Sequence, residues 1–378
     1  MKQILIGITT MHKVLNYGSV LQAYSLQRYL SEAGYRNELI NYIFPNGATK
    51  HKRTLKQKIK HAILNLGYGN FHKIKLRKFN QFYKNYYICS EHEYKSPNEL
   101  KQAHFNYDIY MTGSDQVWNP KHIKNDNSFF LDFADDSKPK MSYAASFSVD
   151  SIDNTLQDRY TKYLSRYNFI SVREAAGVNI VRNLTHKQAE LTCDPTLLLS
   201  KKDWMELIKK DKPLIKEPYI LIYALRYSYN PYPEINKIIS DIQNILKLRL
   251  VFLDGSMSDL FRKNSSVIKN AGPIDFLNLI TNASCIITTS FHGTAFALNM
   301  EIPFYSVISR TNHDTRLSDL LKMIGADNRC IYHDDNDIKY ELEMDFSKIR
   351  TNLNSFREIS KNYLTSSISQ LSKNLQNG

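Results

Sequence analysis

The chain has 378 residues and a net charge of +13, with 42% hydrophobic and 23% charged residues, a balance that excludes disorder and a disulfide scaffold. Such a length exceeds what one core usually organises, so two domains of ordinary size are expected. No apolar run approaches the ~20 residues that cross a bilayer, no cleavage-like site follows the opening MKQILIGITTMHK, and Cys89, Cys193, Cys285 and Cys330 lie far apart without metal or redox spacing, so a cytoplasmic protein with buried free thiols is expected.

In chain order, the apolar run 3–8 is a strand, and VLQAYSLQRYLSEAG places Val20, Ala23, Leu26, Leu30 and Ala33 on one helical face with Gly34 as the stop. A second strand is expected at 37–43. Residues 50–84 then hold eleven Lys and Arg and no Asp or Glu, so the rest of the chain carries 13 − 11 = +2. Leu55, Ile59, Ala62, Ile63 and Leu66 recur at helical spacing, as do Leu76, Phe79, Tyr83 and Tyr86, which predicts two amphipathic basic helices. A solvated face, an anionic partner such as membrane lipid or a phosphate-bearing substrate, and nucleic acid are three readings of that segment.

Strands are expected next at 107–113, 141–147, 168–172 and 189–193, with a helix at 174–184. The polar, lysine-rich stretch 201–219 reads as a linker. Beyond it strands at 218–225, 249–255, 283–290 and 302–308 alternate with helices around 233–247, 274–282 and 293–300. The alternation predicts an α/β protein of two Rossmann-like domains facing a cleft. Their expected extents are 1–205, with a basic helical insert at about 48–90, and 215–345, followed by a C-terminal helix at 346–378 packing across both.

Ligands of open parallel sheets bind at the C-terminal ends of strands, and four such ends carry unusual chemistry. TGSDQVWN offers Asp115 with Ser114 beside it, SVRE offers Arg173, CDP offers Asp194, and SFHG offers His292 at the start of a helix. A helix N-terminus collects anions, and a histidine there donates to an anion or exchanges a proton near neutral pH. Taken singly, each residue has a structural reading: Asp115 forms a turn, Asp194 caps a helix, Arg173 pairs with Glu174 or Glu190, and His292 caps its own turn. Their convergence on four separate strand ends favours a site. GxGxxG and Walker spacings are missing, as is any His/Asp/Glu pattern of metal ligands, and the HDD at 333–335 reads as a solvated loop. From the residues, the protein is an anion-binding transferase or hydrolase.

The blocks NYGSVLQAYSLQRYLSEAGY, GSDQVWNP, SYAASFS, SVREAAGV, CDPTLLL and TTSFHGTAFALNMEIPF, in that order, resemble the polysaccharide pyruvyl transferase family over residues 5 to about 310. The resemblance implies a fold like the type B glycosyltransferases, an acceptor side in 1–205 and a donor side in 215–345. It also implies transfer of the pyruvyl group of phosphoenolpyruvate to two hydroxyls of a capsular or exopolysaccharide sugar, with no cofactor and no metal. Carried over, His292, Asp115 and Asp194 are the catalytic candidates. Arg173, Ser290, Gly293, Thr294, Asn16, Gly18, Ser114, Arg310 and Arg316 are the binding candidates. Expected partners are phosphoenolpyruvate and a saccharide, lipid-linked and reached with peripheral membrane contact through 50–84, and no nucleic acid. Some family members have an arginine two residues before the histidine where this chain has Ser290; Arg310 or Arg316 is then expected to supply that charge. A nucleotide-sugar glycosyltransferase of the same architecture and a non-catalytic binder of anionic surfaces are the rival readings.

Overall fold

Short apolar strands buried on both faces pair most readily with parallel neighbours covered by helices, and every pairing in the two main sheets is parallel. The computed structural model describes residues 4–44, 55–226, 229–256, 258–310, 315–335 and 338–377, with backbone alone for 55–69 and 377.

The first half opens with β1 (Leu5–Thr9), α1 (Tyr17–Glu32) and β2 (Arg36–Leu39). Asn16 caps α1 by accepting from the Ser19 N–H at 3.2 Å, and Gly34, at φ 88°, turns the chain out of it. Then come α2 (Leu55–Tyr86), α3 (Pro97–Gln102), β3 (Ile109–Thr112), α4 (Pro120–Ile123), β4 (Lys140–Ser142) and α5 (Asn154–Leu164). The half closes with β5 (Ser171–Val172), α6 (Ala175–Thr185), β6 (Glu190–Leu191), α7 (Pro195–Leu198) and α8 (Lys201–Ile208). The sheet order is β2-β1-β3-β4, and bridges Met141–Phe169 and Ala145–Val172 carry it on to the β5–β6 pair.

The second half runs β7 (Tyr219–Tyr223), α9 (Ile235–Leu246), β8 (Arg249–Leu253), β9 (Ser265–Ile268), α10 (Pro273–Thr281), β10 (Cys285–Thr288) and α11 (Phe291–Met300). It ends with β11 (Phe304–Ile308), α12 (Arg316–Ile324), β12 (Cys330–Tyr332) and α13 (Ser347–Asn377). Its order, β12-β11-β10-β7-β8-β9, is that of a Rossmann sheet, reversing direction between β7 and β10. The first sheet reverses between β1 and β3. Such reversals open a crevice at the strand ends. One apolar cluster joins the halves, with Leu21, Trp204, Tyr223, Phe276 and Phe296 all in it.

Three expectations change. The two basic helices are one continuous helix, α2, through Gly67 and Gly69; an interior glycine weakens a helix by only ~1 kcal/mol, too little to break one whose C-terminal turns are anchored by buried Phe79 and Phe82. The first part of the expected linker is α8, started by a capping box between Ser200 and Asp203 and fastened by Trp204, which is fully buried against Phe296 at 4.9 Å. Cys193 and Cys285 are buried thiols, but Cys89 and Cys330 are only partly covered.

Candidate active site

Both sheet reversals deliver their strand ends to one place. After β3, Gly113 and Ser114 lead to Asp115, which takes φ 75°, a left-handed conformation that costs a side-chain residue energy and that Asp tolerates better than most. Its carbonyl accepts from the Ser146 N–H at 3.0 Å and the Val117 N–H at 2.7 Å, which holds the turn. One carboxylate oxygen accepts from the Ser19 hydroxyl of α1; the other accepts from the Gln116 N–H at 2.9 Å.

Arg173 leaves the end of β5 with its side chain 1% exposed and donates from Nη1 to Asp194 Oδ2 at 2.6 Å. Its Nη2 lies 3.7 Å from Asp115 Oδ1. Both Nη2 and Nε are buried without a hydrogen-bond partner. Asp194 divides its two oxygens. Oδ1 caps α7 by accepting from the Thr196 N–H at 2.9 Å and hydroxyl at 2.7 Å, while Oδ2 serves Arg173, the Ser114 hydroxyl at 3.2 Å and His292 Nε2 at 3.5 Å. Asp194 thus caps a helix with one oxygen and joins the cluster with the other. Arg173 pairs with Asp194 and Asp115, not with Glu174 or Glu190.

α11 begins at Phe291, two residues before the sequence pattern suggests, so His292 sits inside its first turn. The ring is pressed against α1: a Cβ on Gly18 would stand 2.0 Å from His292 Nδ1. Nε2 is buried without a hydrogen-bond partner. Burial alone would raise the Asp194 carboxyl, but the His292 ring, Arg173 and the Thr196 N–H hold it well below the ordinary carboxylate value. Asp115 likewise stays low against its burial because of His292, Arg173, Ser19 and Arg316.

Ser290 spends its hydroxyl as the N-cap of α11, accepting from the Gly293 N–H at 3.2 Å. A buried arginine reaches the cluster from another element. Arg316, the first residue of α12, is buried. With the amide of Gln116 oriented oxygen-first, it donates to Gln116 at 2.7 Å and 3.1 Å. Its guanidinium lies 5.7 Å from the Phe291 ring, and that of Arg173 lies 4.4 Å from the same ring, an attraction of aromatic face and cation. Arg310 is not brought in: half-exposed, it pairs with Asp334 and Asp335 and covers Tyr332 at 3.8 Å. Those pairs also tie down the HDD loop that the sequence suggested was merely solvated. Thr294 points to the sheet, its hydroxyl 2.6 Å from that of Ser306, and Gly293 is a packing glycine against Thr288 and Tyr223.

Sequence reasoning missed Ser19, Gln116, Phe291 and Glu174, although each is adjacent, or nearly so, to a residue it singled out. Glu174 is buried and accepts through Oε1 from the Phe147 N–H at 2.7 Å, the Ser148 N–H at 3.1 Å and the Ser146 hydroxyl at 3.1 Å, and burial pushes its carboxyl up despite the neighbouring arginines. It pins the turn that holds the Asp115 carbonyl. The cluster borders a cleft of about 190 Å³ lined by Met11, Val14, Asn16, Ser19, Asp115, Gln116 and His122. Among the described residues no group of three His, Cys, Asp or Glu side chains gathers around a point where a metal ion fits.

The polysaccharide pyruvyl transferase family model matches residues 16–312, most of the chain and all four strand ends. The chain belongs to the polysaccharide pyruvyl transferase family. No curated protein matches its sequence. Solved structures similar to this pyruvyl transferase family member include a putative UDP-N-acetylglucosamine 2-epimerase from Listeria monocytogenes, at 12% identity over 96% of this chain and 91% of the other, TM-score 0.55. The UDP-GlcNAc 2-epimerase of Methanocaldococcus jannaschii aligns at 12% identity over 97% and 99%, TM-score 0.51, and that of Rickettsia bellii at 12% over 98% and 97%, TM-score 0.51. At such identity they speak for the fold, two facing Rossmann-like sheets of the type B glycosyltransferase kind. This family member is an enzyme acting on polysaccharide, and no helix among its described residues is long and apolar enough to cross a membrane.

Proposed function

We propose that the cluster binds phosphoenolpyruvate and transfers its pyruvyl group to two hydroxyls of a saccharide. The observation that carries this reading is a set of buried donors without a hydrogen-bond partner, Arg173 Nε and Nη2 and His292 Nε2, the last two facing Asp115 and Asp194 only at 3.7 Å and 3.5 Å, beside a cleft walled by Ser19, Asn16 and Asp115. Unpaired buried donors are costly, and a doubly anionic ligand satisfies them. Arg173 and Arg316 balance Asp115 and Asp194 in charge, so His292 supplies the excess positive charge when protonated.

In this reading His292 gives a proton to the methylene carbon of phosphoenolpyruvate, which becomes the methyl group, and positive charge develops on the neighbouring carbon. One acceptor hydroxyl oxygen bonds to that carbon, the C–O bond to phosphate breaks, and a second hydroxyl oxygen closes the ketal. Of the two hydroxyl protons, one replaces the proton lost by His292 and one departs with phosphate. The two arginines favour the charge that moves onto phosphate. Asp115, kept ionised by its cations, is a weak proton acceptor, and its role is to orient the acceptor hydroxyls; Asp194 holds Arg173 and His292 at their separation.

We place the acceptor in capsule or exopolysaccharide synthesis, carried on a lipid, with the lysines at the start of the basic segment touching an anionic membrane surface. The composition of 50–84 supports this. The test is phosphate release from phosphoenolpyruvate with a panel of galactose, glucose and mannosamine glycans, read with product mass and with the shift of melting temperature by phosphoenolpyruvate alone. A panel without phosphate release, with no melting shift, sinks the transfer reading. Sedimentation with anionic vesicles tests the membrane contact separately.

A further inference from the structure

The C-terminal turns of α2 do something the charge of the basic segment does not announce. Phe82 and Tyr86 pack on Tyr24 of α1 in the first half, each at 5.8 Å between ring centres. One to two turns earlier, Lys75 Nζ reaches Asp254, just past β8 of the second half, and Lys78 Nζ reaches Asp275 in the first turn of α10, both at 2.6 Å. Asp275 also accepts from the Gly272 N–H at 2.7 Å, and a side chain on Gly272 would strike Lys78 Cβ at 2.6 Å. The helix thus bridges the two halves.

What it closes over is Tyr17, 1% exposed. The Lys75 ammonium sits 4.6 Å from the Tyr17 ring centre, and Phe79 lies 5.4 Å away. On the side of the second half, Phe276 stacks on it at 4.9 Å and 5°, and Tyr223 meets it at 5.9 Å. The next residue is Gly18, the one against the His292 ring. A path of direct contacts therefore runs from Lys75 to Tyr17, Gly18 and the imidazole, and Lys78 joins it through Asp275 and the adjacent Phe276.

We propose that Lys75, Lys78 and Tyr17 are positioning residues: α2 clasps the halves and thereby sets how closely α1 approaches the His292 ring. The position of the ring is read without substrate, and only the activity arm below rests on the transfer reading. The test compares Lys75→Met/Lys78→Met with Lys75→Arg/Lys78→Arg, each first shown to melt cooperatively. By NMR, the His292 imidazole resonance moves in the Met variant and stays at the wild-type value in the Arg variant. In turnover with phosphoenolpyruvate, kcat of the Met variant falls by ~10-fold or more, as small misplacements of a reacting group do, with a smaller change in KM. A folded Met variant with an unmoved His292 resonance overturns the clasp. If wild type releases no phosphate, the transfer reading fails while the resonance still judges the clasp. If the Met variant does not fold, the charge swap Lys75→Glu/Asp254→Lys decides: it restores the resonance displaced by Lys75→Glu alone, or the proposal falls.

Discussion

The two halves contribute to the cluster in opposite ways. The second half is a regular six-stranded Rossmann sheet, and it supplies His292, Phe291 and Arg316 from the first turns of two helices. The first half supplies Asp115, Arg173 and Asp194 from strand ends only two to four residues long, with Asp115, Ala144 and Ser148 all at positive φ. Regular structure thus presents the imidazole, and irregular structure presents the ion pairs around it. Strain of this kind persists where its surroundings over-determine it, and here Glu174 and the Ser146 N–H do so.

The sharpest way to separate the two contributions is His292→Ala, which is expected to lower turnover by ~10²–10⁴-fold, the worth of a placed acid or base, while the melting temperature changes little. Unchanged turnover would return His292 to a packing role. Next in size, Gly18→Ala pushes a methyl group into the imidazole and is expected to lower kcat by ~10²-fold, measured beside Gly18→Ser to show that size and not polarity matters; full activity in Gly18→Ala would break the contact between the halves as a determinant. On the first half, Asp194→Ala leaves Arg173 buried with only the 3.7 Å contact to Asp115, and a loss of ~3 kcal/mol in denaturant unfolding is expected. Because the Asp194 carboxyl is held low in the folded state, its contribution is present above the ordinary value of 3.8 and fades as pH falls below it. The stability gap between wild type and Asp194→Asn should therefore be flat from neutral pH to about 5 and narrow only in more acid solution; a gap that closes near neutrality would contradict the ion pair. The smallest effect belongs to Glu174→Gln, which retains the oxygen that pins the Phe147 and Ser148 amides and replaces a carboxyl already pushed toward neutrality. Its stability change is expected to stay below ~1 kcal/mol, and a large loss would mean that Glu174 is needed as an anion.

Strand–helix alternation in this sequence is legible because β3, β7 and β10 are short runs buried on both faces and helices such as α9 carry Ile235, Ile238, Ile239 and Ile242 at helical spacing. The strand ends bearing Asp115, Arg173, Asp194 and His292 could be picked out for the same reason. What was not legible depends on tertiary partners. Arg316 and Arg310 look alike in SRTNHDTR, and only the neighbours of each, Gln116 and Phe291 for one, Asp334 and Asp335 for the other, set them apart. The lysines of α2 read as a charge run, since Asp254 and Asp275 lie 179 and 197 residues beyond their partners. Ser290 looked like a missing charge, yet locally it is the cap that α11 requires.

α13 carries one more consequence, concerning the order in which the chain is made. Arg357 donates to the Leu197 carbonyl at 2.5 Å, Ser360 accepts from the Cys193 N–H at 2.8 Å, and Tyr363 donates to the Ser142 carbonyl at 2.8 Å. These three residues brace the two ends of the turn that carries Asp194 and the strand beside it. Domains generally fold as units, N-terminal first, while the ribosome is still adding residues, so the first half emerges before the α13 side chains that brace it. The bracing of the Asp194 turn therefore waits for residues 357–363, although Asp115, Arg173 and Asp194 all precede them by more than 150 residues.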